Sequence, residues 1–430
     1  MNRETLTVTS YFQLVRGNRN FRRLWFAQIV SEIGDWFYII AIYNLLLQFT
    51  GRAQAVGTAL VLQVLPSTFV GPTAGVVNDR IRRQHVMIAA DLLRMMIVLG
   101  MMLVRSAPMI WLVYPLLFLE TVMWGFFEPA RSAVIPTVVG QEQILTANTV
   151  SSITWSVNFA IGSGLGGLVA VFLGREAVFF LNALSFLASA LLISSMQLHE
   201  PHAAGAPPFH VRELVNFTPM AEGVRYIRAN PKLLATVLLK GGAGVLGANW
   251  VIFPILGERV FPVHMAGLDA SRAAVLGMST LMCARGVGAL IGPLSASGWA
   301  AGRGSRMRAG ILAAFVAAAA AYMGLSAAPN LAVACVAVAL AHGGGSVTWV
   351  FSTTLLQRYS DDRFRGRVFA ADLGFCMFVI ALSGYLAGMA IDFGVGVRIV
   401  AFATGAAMLL PAIAWFWALR LWREEDNNFD

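Results

Sequence analysis

Apolar runs of about 20 to 28 residues recur along this chain, separated by short polar or charged turns. Each is long enough to cross a hydrocarbon core of about 30 Å as a helix, which takes roughly 20 residues. In the first half the pattern predicts helices over 23–49, 54–77, 84–104, 110–129, 146–173 and 176–196. The second half repeats that spacing near 233–257, 271–297, 308–326, 330–356, 367–391 and 396–419. Pro66 and Pro72 fall inside the second helix, where neighbouring groups can satisfy the freed carbonyls. Residues 197–232 break the rhythm. They hold a Pro- and His-containing loop, then a short amphipathic helix over 217–228, with Thr218 as its cap and Pro219 in its first turn. Its basic and apolar faces suit a membrane surface.

The expected fold is therefore an all-α polytopic membrane protein, with about twelve transmembrane helices in two six-helix bundles related by a pseudo-two-fold. The segments are a polar tail at 1–21, bundles at 22–196 and 233–420, a linker at 197–232 and a tail at 421–430. Composition agrees. Of 430 residues, 58% are apolar and 12% charged, where a soluble domain carries about 25% charged. Mean hydropathy is +0.70. The net charge of +9 sits in short clusters between apolar runs, which is orientation charge and not a nucleic-acid patch. With both termini cytoplasmic, 22 basic residues fall inside and 6 outside. Arg94, Lys240 and Arg285 are left within the membrane. Cys283, Cys335 and Cys376 lie in apolar runs and give neither a disulfide framework nor a zinc site. No cofactor is expected. The first helix is expected to serve as its own insertion signal.

One turn concentrates charge: Gly75, Val76, Val77, Asn78, Asp79, Arg80, Ile81, Arg82 and Arg83, running on to Asp91 and Arg94. A Gly, an acid four residues later and then a basic cluster resembles the loop signature of the major facilitator superfamily. Gly75, Asp79, Arg80 and Arg83 stand at matching positions. Asn78 replaces the usual small residue there, and Arg82 replaces a second Gly. A decayed copy runs from Gly298 to Arg306, with Gly302 where the acid would stand. Further stretches narrow the likeness: Asn18 to Arg22 with Gly34-Asp35, Ala90 to Arg94, Pro129 to Pro136, and Arg365 to Val368. Together they resemble bacterial exporters that include macrolide-efflux and enterobactin-export proteins. That resemblance implies a secondary active transporter of the bacterial inner membrane, exporting an amphipathic small molecule, drug-, macrolide- or siderophore-like, by alternating access. Its expected partners are the substrate, protons and the lipid bilayer, and a monomer is expected. The alternative on the same fold is a proton-independent facilitator or lipid flippase. An enzyme is not expected, since no nucleophile with a base and no metal cluster has a sensible spacing.

The resemblance implies a conformational latch made of Gly75, Asp79, Arg80, Arg83, Arg131, Arg367 and Asp372. In it Asp79 takes a hydrogen bond from Arg131 or Arg83, or faces the N-terminus of helix 11. Ionisable groups inside a bilayer are costly and so are candidates for function. Asp35 is the foremost proton carrier, with Glu32 on the same helix face and Glu120 on helix 4 as further candidates. The competing role for Asp35 is an ion pair with Arg94. Asp91 and Arg94, three apart, can neutralise one another. Lys240 lies near enough to a helix end to snorkel. Arg285 is deeper, placed to meet an acidic substrate or a helix-1 acid. Cavity walls are expected from Trp36, Tyr38, Trp124, Trp155, Trp250 and Trp349, with lipid-facing bulk as the other reading. The small residues from Gly162 to Gly167 allow helices to approach closely. His342, beside three glycines, reads as a packing point.

Overall fold

The computed structural model describes residues 8–200 and 218–422. Among them it is all helical, and twelve helices are long and apolar enough to cross a membrane. Spans 1 to 6 are Arg19–Thr50, Ala53–Arg80, Arg83–Met101, Ala107–Val138, Thr146–Phe172 and Arg175–Ser194. Spans 7 to 12 are Pro231–Arg259, Ala270–Ala300, Gly304–Ser326, Leu331–Tyr359, Phe364–Asp392 and Val397–Ala418. Two compact units emerge: residues 1–41 with 69–216, and residues 42–68 with 217–430. The end of span 1 and the first part of span 2 thus group with the second unit.

Four local features differ from the expectation. The polar tail holds a helix, Val8–Gly17. Tyr11, Leu14 and Val15 have helical spacing and pack on Phe21, Leu24 and their neighbours. Span 4 was expected to stop at Pro129 but runs on to Val138, through Pro129 and Pro136. A proline leaves carbonyls of the preceding turn without their donor. The Asn78 amide donates to the Phe126 carbonyl at 3.4 Å, and Arg83 Nη1 to the Ala133 carbonyl at 3.1 Å. Each of these carbonyls lies three residues before a proline, next to the one whose donor the proline removes (Gly125 and Ser132), so the charged turn ties down the backbone beside both interruptions.

Span 7 is broken. An α-helix over Pro231–Ala243 gives way to 3-10 geometry at Gly244–Ala248 and resumes as Asn249–Arg259. Its glycines bring backbone against span 11. A Cβ on Gly247 would lie 2.7 Å from Ile380 Cα, and Ser383 Oγ donates to the Gly244 carbonyl at 3.1 Å. The linker helix, Thr218–Ala229, lies against span 11 and is not free for a membrane surface. Ile227 joins a core with Leu233, Val237, Leu356 and Val368. Tyr226 stacks on Phe364 at 4.4 Å, so its apolar face is spent on protein.

Small residues set the tightest helix contacts. A Cβ on Gly162 would lie 2.8 Å from Trp36 Cβ, and one on Gly166 2.7 Å from Phe37 Cα. Spans 8 and 10 meet at Gly292 and Gly343, and at Gly288 and Ala339, where a Cβ on either span-8 glycine would lie 2.7 Å from the opposing Cα. In the turn after span 8, Gly302 has φ +75°. Glycine there serves the backbone turn, which accounts for the missing acid.

Candidate functional site

The first unit gathers its buried charge around Arg94, near the middle of span 3. Arg94 Nη2 lies 2.8 Å from Asp35 Oδ2 of span 1, and Nε 2.9 Å from Glu120 Oε1 of span 4. Asp91, one turn away and fully buried, stands off at 3.7 Å. Phe186 of span 6 closes the guanidinium face at 4.0 Å. Four spans therefore converge on one cation, and its short bonds go to Asp35 and Glu120. The three acids differ in access. Asp35 keeps 25% of its side chain exposed, Glu120 13% and Asp91 none.

A second polar line begins one turn along span 1. Glu32 accepts from Gln28 Nε2 and Asn158 Nδ2, each at 2.8 Å. Gln28 in turn accepts from Arg131 Nη1 at 3.2 Å. Arg131 clamps Glu128 with two bonds of 2.9 and 2.6 Å. Glu32 thus meets Arg131 through an amide relay. Gln28 and Asn158 escaped the sequence reading. Gln28, an amide four residues before a buried acid, carried the one available signal.

The proposed latch residues belong to both units, and each has its own surroundings within its unit. Asp79 is 78% exposed and 4.0 Å from Arg83. Arg80 ends span 2. A Cβ on Gly75 would meet nothing within 4 Å. Arg131 is held by Glu128, and Arg367 pairs with Glu222 of the linker helix at 2.6 Å. Asp372 was placed with Arg367 at the start of helix 11. Span 11's helix begins earlier, at Asp362, so Asp372 lies about 15 Å inside it. There it is fully buried and 2.7 Å from Lys240 Nζ. Lys240 does not snorkel. It also donates to Thr353 at 3.1 Å and sits 4.1 Å over the Trp349 ring. A buried acid gives the ammonium a better partner than a long reach to water.

Arg285 lies 4.3 Å over Trp250, which meets Tyr43 edge-on at 6.2 Å. Nearby His342 Nε2 and Tyr322 Oη are 3.1 Å apart. Trp36 packs on Trp155 at 5.7 Å and on Phe159 at 4.3 Å. Trp124, Trp155 and Trp349 keep about two fifths of their surface exposed, whereas Tyr38 is buried against Phe179.

A further contact lies within the second unit, at the turn joining spans 1 and 2. Asp392, the last residue of span 11, accepts from the Ala53 amide at 2.8 Å and the Gln54 amide at 3.1 Å. Gln54 Nε2 donates to Tyr385 Oη at 2.9 Å. A Cβ on Gly388 would lie 2.8 Å from Gln54 Cα, and one on Gly57 3.1 Å from Tyr385 Cα. A carboxylate of span 11 thus caps span 2, where the helix dipole favours an anion.

The profile of the transmembrane secretion effector family matches residues 11–429. Among curated proteins, the chain is similar to the uncharacterized MFS-type transporter YkuC of Bacillus subtilis (strain 168). The two are 29% identical over 227 residues, covering 51% of this chain and 52% of that protein. It is also similar to macrolide efflux protein A of Streptococcus pyogenes, at 26% over 264 residues, 59% of this chain and 63% of that one. With the multidrug efflux pump Tap of Mycolicibacterium fortuitum it shares 27% over 244 residues, 53% of this chain and 58% of that one. The chain therefore spans about half to three fifths of the length of the curated relatives it matches. Among solved structures, a POT family transporter in complex with 5-aminolevulinic acid superposes with TM-score 0.74 at 10% identity, covering 96% of this chain and 97% of that one. The nucleoside transporter NupG gives 0.72 at 12%, covering 93% and 99%. At such identities the likeness is one of fold. Twelve spans and bacterial relatives make this a multi-pass protein of a bacterial inner membrane. By its sequence over nearly the whole length, the chain belongs to the transmembrane secretion effector family of the major facilitator superfamily.

Proposed function

We propose that the chain is a secondary active exporter, moving an amphipathic small molecule out of the cytoplasm in exchange for protons. The observation that carries this reading is the cluster of Asp35, Asp91 and Glu120 around Arg94. Three carboxylates on one guanidinium leave two negative charges uncompensated when all are ionised. Each proton taken up removes one. Asp35 is the most accessible of the three and is assigned the exchanging proton, with Glu120 and Glu32 as its neighbours in the path. Protonating Asp35 weakens its bond to Arg94, which gives the proton different affinities for two conformations. Without that difference no ligand shifts an equilibrium.

Relatives named for macrolide and multidrug efflux support export of a drug-, macrolide- or siderophore-like molecule. Trp36 with Trp155, Trp250 under Arg285, and the part-exposed Trp124 and Trp349 are the candidate walls for it. The exposed Asp79 and the open space over Gly75 leave a face ready to dock in the other conformational state. Both termini are assigned to the cytoplasm, and the working unit is a monomer.

The test uses inverted membrane vesicles with an imposed pH gradient and a panel of fluorescent amphipathic dyes. Dye should accumulate with the gradient in wild type and not in Asp35→Asn. Movement that ignores both gradient and mutation would sink proton coupling. It would favour a facilitator or lipid flippase, with Asp35 as a structural charge.

A further inference from the structure

Where the surface helix Val8–Gly17 meets span 1, the first unit has an open cavity of about 530 Å³. Its walls include Arg19 and Arg23 of span 1, Asn20, Gln13 of the surface helix, Gln143 before span 5 and Gln197 after span 6. Arg19 and Arg23 are four apart and so share one helix face. Asn20 and Gln197 fix one wall by exchanging two hydrogen bonds, of 2.8 and 3.2 Å. Arg23 Nη1 is anchored on the Ser195 carbonyl. Arg19 is exposed and makes no hydrogen bond or ion pair with any described residue. Among the described lining residues none is acidic. The nearest acid in sequence, Glu142, folds back over Gly140.

Two guanidiniums and several amides, with no carboxylate among them, form a donor set for a phosphate-bearing anion. Arginine forks match phosphate oxygens in pairs. The volume is that of a small-ligand site. The location narrows the source. The surface helix buries Leu14 and leaves Phe12 68% exposed, as expected of a helix lying at a membrane interface. Arg16 and Arg22 add positive charge beside it. Basic pockets at the ends of membrane helices take anionic headgroups.

We propose that this cavity binds the phosphate of an anionic phospholipid headgroup. The bound lipid ties together the surface helix, span 1, the connection before span 5 and the segment after span 6, just ahead of the linker. The inference is independent of the transport reading. The cytoplasmic placement of the N-terminus decides only which leaflet supplies the lipid.

The test uses the purified full-length protein in zwitterionic detergent. Thermal unfolding would be followed with added phosphatidylglycerol, phosphatidylcholine or inorganic phosphate. Native mass spectrometry would count bound lipid. Phosphatidylglycerol should raise the Tm of wild type and of Arg16→Gln, whose side chain does not line the cavity. Arg19→Gln should bind it about tenfold more weakly, as expected for one lost charge-assisted contact. Arg19→Lys should recover part of that loss. An equal, Arg19-dependent shift with inorganic phosphate alone would keep the pocket and assign it to a soluble anion. Equal phosphatidylglycerol shifts in wild type and Arg19→Gln would overturn the proposal. Because Arg19 is exposed, its variants should unfold at the wild-type temperature without lipid, which separates lost binding from lost folding.

Discussion

Lys240 and Asp372 offer a test of what a buried charge does in the second unit. Each is nearly or fully buried, and each is the other's counter-charge at 2.7 Å. Lys240→Met alone leaves a carboxylate without its cation, and should cost about 3–5 kcal/mol of stability. Lys240→Met with Asp372→Leu should recover most of that loss, since replacing a whole buried pair by apolar groups is close to neutral. Thermal unfolding of the three proteins in detergent measures both steps. If the double variant transports as wild type does, the pair is structural. Arg94 should behave differently. Arg94→Gln takes one shared cation from Asp35, Asp91 and Glu120 together, so its unfolding temperature in detergent should fall further than that of Lys240→Met, which strands a single carboxylate. Asp35 and Arg94 were legible as residues because a charge in an apolar run stands out. Their similar depth also suggested Arg94 as a partner for Asp35, and the two lie 2.8 Å apart. That Glu120 shares the same guanidinium was not legible, because nothing local joins span 4 to either residue. Asp372 was misplaced because its helix begins earlier than the apolar run shows, and its lysine is 132 positions away.

At the scale of the element, run length located the twelve helices, and special residues decided where they bend or continue. Span 4 continues past two prolines, and Asn78 of span 2 and Arg83 of span 3 hold the backbone beside each of them. No reading confined to span 4 contains those donors. Span 7 changes geometry where glycines allow backbone to approach span 11. A hydropathy pattern does not register that change, since the run remains apolar throughout. The surface helix was hidden because a few apolar residues in a polar tail barely move an average, although Tyr11, Leu14 and Val15 are helically spaced. The close approach of spans 8 and 10 gives a prediction of its own. Gly292→Leu must push Gly343 backbone away, so the two helices cannot keep their present separation. Its unfolding temperature should fall well below that of wild type. Gly298→Leu on the same span meets open space and should be nearly neutral.

For the whole molecule, the positive-inside asymmetry of 22 against 6 is the strongest statement about orientation. Alkaline phosphatase and green fluorescent protein fused at the C-terminus should report a cytoplasmic end. Phosphatase activity there would reverse the orientation, and with it the assignment of the charged turn to the cytoplasm. Asp79→Asn bears on the latch at the same scale. The residue is 78% exposed in this state, so the substitution should leave unfolding unchanged while altering cysteine accessibility and transport rate. If accessibility and transport also stay at wild-type levels, Asp79 is only a solvated turn residue. The twelve-helix plan was legible because bilayer thickness imposes it on the sequence. The candidate site was legible only in part, because a transporter's site is assembled from side chains on many helices, each contributing one or two.

The cap that Asp392 places on span 2 also makes its two amides a natural clock. While the carboxylate holds them, the Ala53 and Gln54 hydrogens are shielded from deuterium. Whenever span 2 parts from span 11, those hydrogens face water and exchange. Their exchange rate would therefore record the fraction of time the protein spends with this seam open, in an unlabelled chain and without a known substrate. A substrate that favours the open seam would speed that clock, and one that favours the closed seam would slow it, so the same two hydrogens can be used to search for the cargo.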